Sequence, residues 1–140
     1  MTTATLDCEK LLPPNVLSKA TLRGKEYAWP TDSVEEAIEA ARKCGLANIG
    51  GEVQFRIPNG TCELYWMGFD SESQAEGETW RAYVDRSADE VLNRVRQLRS
   101  QDDFVNEGVQ TFKVLEKMHK EGVDLHQYLC FVLYFDEEQK

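Results

Sequence analysis

The chain has 140 residues, 41% hydrophobic and 29% charged, with a net charge of −9 at pH 7. That length suits one domain able to bury a core without disulfide or metal staples, and the composition excludes a chain disordered throughout. The negative field repels phosphate backbones, which argues against nucleic acid as a ligand and for a basic protein or a cation.

The opening stretch, "MTTATLDCEKLLPPN", has neither the basic start nor the apolar run of a secretory signal, so a cytoplasmic protein is expected. The longest apolar run, "YLCFVLYF" at 128–135, is too short to cross a bilayer, so no membrane is expected as a partner. Residues 1–140 read as a single domain whose first 26 residues are poorly defined. The one element expected there is a short helix at about 15–22, capped by Asn15, with Val16, Leu17 and Leu22 on one face. In "TDSVEEAIEAARKCG", Val34, Ala37, Ile38, Ala41 and Cys44 recur at helical spacing. Capping boxes from Asp32 to Glu35 and from Ser33 to Glu36, and Gly45 as the stop, bound that helix.

"GGEVQFRIPNGTCELYWMGF", residues 50–69, reads as a β-hairpin about an Asn59–Gly60 type I′ turn. Ile57 then faces Cys62, Phe55 faces Leu64 and Val53 faces Trp66 on a core side, while Arg56 faces Glu63 and Gln54 faces Tyr65 on the other. Continued alternation puts Met67 and Phe69 with Tyr65, away from the core. The Gly50-Gly51 pair precedes a strand and signals a bulge or a close backbone approach. Residues 70–78 form an acidic loop, "DSESQAEGE", with Asp70, Glu72, Glu76 and Glu78 and no base.

A third strand is expected at about 79–85 from the alternation of Trp80, Ala82 and Val84, and "SADE" at 87–90 reads as a capping box that opens a helix. That helix carries Val91, Leu92, Val95 and Leu98 inward, with Glu90 paired to Arg94. Another helix is expected from Asp103 to about Glu121, weakened by Gly108. "YLCFVLYF" is apolar on both faces and reads as an interior strand. The resulting class is α+β, a mainly antiparallel sheet of about four strands with helices packed on it, in the rough order α-α-β-β-β-α-α-β.

Motifs for chemistry are few. There is no nucleophile elbow, P-loop or dinucleotide fingerprint. Cys8, Cys44, Cys62 and Cys130 are scattered without a C-x-x-C pair and are expected to be free thiols. His119 and His126 lack zinc spacing, so no metal and no cofactor is expected. The residues point to no catalytic group, and the chain reads as a non-enzyme.

The runs "YAWPTDSVEEAIEAARKCGLANIGGEVQF", "ELYW" and "YVDRSADEVLNRV" and the closing "FVLYF" resemble the immunity proteins of bacterial polymorphic toxin systems, in particular the immunity protein forty family. The likeness covers about residues 27–98 and the last strand, and rests on Gly50-Gly51-Glu52, the aromatic second strand and Asp85-Arg86-Ser87. It implies an α+β fold without catalysis that neutralises a cognate toxin domain, as in contact-dependent growth inhibition. Glu52, Trp66, Asp85 and Arg86 are motif positions under that resemblance. Each also has a plain structural role to play, Trp66 as core by register and Asp85 and Arg86 as a strand-to-helix corner. Taken with the charge, the resemblance implies an acidic inhibitor occupying the basic cleft of a toxin such as a nuclease. Tyr65, Met67 and Phe69 would anchor it and Asp70, Glu72, Glu76 and Glu78 would supply the field. Two alternatives are a small cytosolic enzyme with a cleft around Glu52, Asp85 and Arg86, and an adaptor module that forms obligate oligomers. The sequence leaves the oligomeric state open.

Overall fold

The most apolar run of the sequence becomes the middle of the sheet. In the computed structural model, which describes residues 8–139, it forms β5 (Leu129–Asp136). The other strands are β1 (Thr21–Arg23), β2 (Glu26–Pro30), β3 (Ala47–Ile57) and β4 (Gly60–Asp70). They make one antiparallel five-stranded sheet in the order β1-β2-β5-β3-β4. The class is α+β as expected, with five strands instead of about four. β5 is flanked by a strand on each side, and both its faces are covered, Phe131, Leu133 and Phe135 in the main core and Cys130 and Val132 in a smaller cluster on the other side.

One sheet face is covered by helices. These are α1 (Pro14–Leu17), α2 (Val34–Lys43), α3 (Trp80–Gln101), α4 (Phe104–Thr111) and α5 (Lys113–Lys120). Val34, Ile38, Val91, Val95, Leu98, Phe104 and Leu115 join Trp29, Val53, Phe55, Phe131 and Phe135 of the sheet in one buried cluster. α2 ends as its sequence indicates. Gly45 takes φ 77°, the Leu46 amide bonds the Ala41 carbonyl at 2.9 Å, and the Gly45 amide bonds that of Arg42 at 3.1 Å. At its start Ser33 is the N-cap, but its hydroxyl donates to the Asp32 carboxylate and makes no bond to the helix, so the Ser33–Glu36 box does not form.

Several expectations change. The N-terminal helix is only Pro14–Leu17, and Leu22 lies in β1, exposed. β1 and β2 form a hairpin about Gly24–Lys25, with Gly24 at φ 60°, where no strand was expected. The strand expected at 79–85 is the start of α3. Tyr83 and Val84 are both buried, which no alternating strand allows, and the inward series runs on through Ser87, Ala88, Val91, Val95 and Leu98 at helical spacing. Thr79 is its N-cap, accepting from the Ala82 amide at 3.1 Å. Ser87 lies inside the helix, donating to the Val84 carbonyl and accepting the Asn48 amide, so "SADE" is no capping box. Glu90 pairs with Arg86, not Arg94. The expected helix 103–121 is broken at Phe112, which has φ −113° and ψ 118°. Gly108 has a packing reason. A Cβ there would come within 2.9 Å of Leu115 and of the Phe55 ring, so the glycine lets α4 press onto the sheet.

The β3–β4 hairpin is shifted by two residues from expectation. Ile57 pairs with Gly60, Phe55 with Cys62, Val53 with Leu64 and Gln54 with Glu63, about a Pro58–Asn59 turn. The cause is Pro58. An Asn59–Gly60 turn needs an N–H at position 58 to close the hairpin, whereas the first turn position needs none and suits the fixed φ of proline. An even shift keeps every side chain on its expected face, so Val53, Phe55, Cys62 and Leu64 are core.

Beyond Leu64 the faces exchange. Gly51 pairs with Phe69 and Val53 with Leu64, so residues 65–68 of β4 stand against Glu52 alone. This bulge shifts the phase by an odd number, which turns Met67 and Phe69 inward and Trp66 outward. The Gly50-Gly51 pair makes the turn of chain possible. Gly50 has φ 145°, and a Cβ on Gly51 would lie 1.8 Å from the Val132 carbonyl oxygen.

Candidate protein-binding face

The helix-free face of the sheet is polar, and it is curled. β1 and β3 are three strand spacings apart, about 14 Å in a flat sheet. Yet Arg56 of β3 donates to the Thr21 carbonyl at 2.8 Å and its hydroxyl at 3.1 Å, and to the Glu26 carbonyl at 3.1 Å. Arg23 of β1 reaches back to the carbonyls of Ile57 and Gly60, both at 2.7 Å. Two arginines thus fasten the β1–β2 hairpin over the end of the β3–β4 hairpin. Under this fold Ala28, Val132, Cys130, Gln54 and Arg56 are buried although no helix covers them. Burial pushes the Cys130 thiol up to about 11, so it is protonated at neutral pH and a poor nucleophile.

Around that floor stand three carboxylates. Arg56 Nε donates to Gln54 Oε1 at 3.1 Å and so orients the buried amide. Gln54 Nε2 then donates to Glu52 at 2.9 Å and to Glu63 at 3.4 Å. The Tyr134 hydroxyl donates to Glu26 at 2.6 Å. Among the described residues no ion pair engages Glu26, Glu52 or Glu63. Burial, and then the charges of Glu63 and Glu26, hold the Glu52 carboxyl above the ordinary glutamate range, against the pull of the Gln54 bond. Burial and the bond to Glu26 likewise push the Tyr134 hydroxyl up.

The bulge completes this face. Tyr65 is 76% exposed and Trp66 40%, their rings edge-to-face with centroids 5.2 Å apart. Tyr65 follows inward-facing Leu64 and so shares the face of Glu63, while Trp66 turns round the sheet edge, its indole N–H donating to Glu107 of α4 at 3.0 Å. Met67 and Phe69, expected as anchors, are 4% and 1% exposed and belong to the core, out of reach of any partner. Trp66, expected in the core, takes their place at the surface.

The acidic loop is fastened down. Arg86 on α3 bonds both oxygens of Glu78, at 2.7 and 2.8 Å, both of Glu90 at 3.0 Å, and the carbonyls of Glu72 and Ser73. Glu90 in turn accepts the Glu72 amide at 2.9 Å. The Arg86 guanidinium pulls the Glu78 carboxyl down to about 2. Glu78 is therefore a tether, and Asp70, Glu72 and Glu76 are the loop acids left exposed. Asp85 pairs with Arg81 at 2.8 Å and lies 3.7 Å from Arg42, which also bonds Asp89 at 2.6 Å, so it ties α2 to α3. Of the motif positions, only Glu52 and Trp66 border the polar face and its edge. Asp85 and Arg86 sit on α3, across the sheet from Glu52, so these three line no common cleft. Sequence reasoning missed Glu26, Gln54, Arg56 and Tyr134. The only signal was the run of polar residues alternating inside β3, which read as cross-strand partners of Glu63 and Tyr65, whereas Arg56 stands opposite Thr61 and Gln54 opposite Glu63.

His126 is exposed, its ring 3.2 Å from Asp124, and the Cys130 thiol points at the Gln54 carbonyl. Among the described residues no three metal-ligating side chains gather, and no helix is long and apolar enough to cross a membrane. A cleft of about 670 Å³ lies beside Asp32, Asp103 and Phe104. Its Arg99 is engaged by Glu35 and the Thr31 carbonyl, and its Asp103 caps α4. Comparison of the chain with protein-family models, with curated proteins and with solved structures gave no match.

Proposed function

We propose that this protein is an inhibitor that binds a basic toxin domain and blocks its active site, in the manner of the immunity proteins it resembles. The observation that carries the reading is the β4 bulge, which sets Tyr65 and Trp66 outward beside carboxylates that, among the described residues, make no ion pair. Exposed aromatic anchors within an acidic surface suit a partner with a basic cleft. The aromatics supply contact area, and the field speeds encounter. A net charge of −9 extends that attraction over the whole molecule. Neutralisation by occlusion asks no chemistry of the inhibitor.

The test is to co-express the chain with the toxin domain encoded by a neighbouring gene, score survival, and then mix the purified pair. Rescue is expected, with a 1:1 complex whose association rate falls steeply with salt. Trp66→Ala should weaken that complex about tenfold or more. Absence of both rescue and complex would refute the reading.

A further inference from the structure

We infer that the curled, helix-free sheet face bordered by Glu26, Glu52, Glu63 and Tyr65 is the docking surface, and that its occupant is an arginine-bearing segment of a protein partner. This rests on the inhibitor reading for its biological setting but on separate observations for its chemistry.

Among the described residues no helix covers this face, since the helices pack on the other side of the sheet. It is also prebuilt. The Arg23 and Arg56 bonds fix its curvature, and Gln54, 1% exposed, holds Glu52 and Glu63 in fixed orientation. Charge complementarity names the occupant. Two cations of the face direct their donors to neutral oxygens, Arg56 to Gln54, Thr21 and the Glu26 carbonyl, and Arg23 to the Ile57 and Gly60 carbonyls and the Thr61 hydroxyl. Burial and the repulsion of Glu63 and Glu26 leave the Glu52 carboxyl raised, and the Gln54 bond and the Arg56 charge offset this only in part. A guanidinium would relieve that repulsion with planar, paired bonds to carboxylate oxygens and would stack on the exposed Tyr65 ring, which a compact ammonium does less well. The acidic loop offers no such arrangement, because Arg86 already holds Glu78.

The probe is a nona-arginine peptide, titrated into the whole protein at low salt beside nona-lysine and calcium ions. Two variant pairs remove the same charge, Glu52→Gln with Glu63→Gln on the face and Glu72→Gln with Glu76→Gln on the loop. A diffuse field would lose equally from both. The docking surface predicts about tenfold weaker binding for the face pair and about twofold or less for the loop pair. Tyr65→Ala, at an exposed position that cannot threaten the fold, should weaken nona-arginine more than nona-lysine. Equal losses from the two pairs, an unchanged affinity in Tyr65→Ala, or tighter binding of calcium than of peptide would overturn the assignment. Peptide selectivity without rescue from a toxin would sink the inhibitor reading and leave the surface standing. Rescue that ignores the face pair would do the reverse.

Discussion

The two faces of this sheet are held by different forces. On the helix side, Trp29, Val53, Phe55, Leu64, Phe69, Phe131 and Phe135 exclude water by packing, and the contacts are non-directional and numerous. On the curled side, a few directional bonds from Arg23 and Arg56 to distant oxygens do the same work for a small floor of Ala28, Cys130 and Val132. The first arrangement tolerates exchange of one apolar residue for another. The second depends on single donors, and it leaves charge exposed at its border. A surface of that kind is stiff and electrostatically unsatisfied, which suits recognition more than stability.

Substitutions can break the contrast in order of size. Phe69→Ala should cost about 3–5 kcal/mol in denaturant unfolding, as loss of a fully buried aromatic does. Tyr65→Ala, four residues away and on the same side by simple alternation, should cost about 0.5 kcal/mol or less. Similar costs for the two would mean that the bulge does not exchange the faces. Next comes Arg56→Leu, which strips donors from Gln54 and from the Thr21 and Glu26 carbonyls. A loss of about 2–3 kcal/mol is expected, together with faster labelling of Cys130 by a thiol reagent. Arg56→Lys should recover little, because one ammonium cannot span the strands that the guanidinium joins.

Asn48 sharpens the comparison by placing polarity where packing rules. It is 1% exposed at the start of β3, and among the described residues neither its side-chain oxygen nor its nitrogen has a hydrogen-bond partner. Its backbone is satisfied, by Ser87 and Ser71. Asn48→Leu should therefore stabilise the protein by about 1 kcal/mol, since it removes a desolvated amide and keeps the branched side-chain shape. A lower midpoint in urea for this variant would show that the amide is engaged.

The class of fold was legible because each strong signal was local. α2 carried its spacing and its glycine stop within fifteen residues, and β5 announced a covered strand by being apolar on both sides. The Gly50-Gly51 pair also told truly of close approach, here to Val132. What misled was alternation applied across an irregularity. Nothing within residues 64–69 marks the phase change, since its cause is the Gly51–Phe69 pairing across the ladder. The same rule turned Trp80, Ala82 and Val84 into a strand, although the inward series from Tyr83 to Leu98 continues at helical spacing. The polar face was illegible for a further reason. Gln54 and Arg56 are buried by a hairpin whose bonds to Arg56 span 30 and 35 residues of sequence, and composition does not reveal which arginine will reach across a sheet.

The smallest effect separates the two kinds of acid most sharply. Glu52 has its carboxyl raised in the folded state, so between the ordinary glutamate value of 4.5 and that higher value the native protein holds more protons than the unfolded chain. Its contribution to stability therefore falls as pH rises through that window. Glu52→Gln should gain stability at pH 7, and the gain should vanish below pH 4.5. Glu78 has the opposite sign. Its carboxyl is lowered to about 2 by Arg86, so its contribution is complete above 4.5 and drains away as pH falls from there towards 2. Glu78→Gln should accordingly lose stability at pH 7 and match the parent near pH 2. Urea midpoints measured from pH 2 to 7 would thus converge at the acid end for both variants, approached from above by one and from below by the other. Two curves bending the same way would mean that the acids of the curled face are as well paired as those of the loop, and an arginine-bearing partner would then have nothing to relieve.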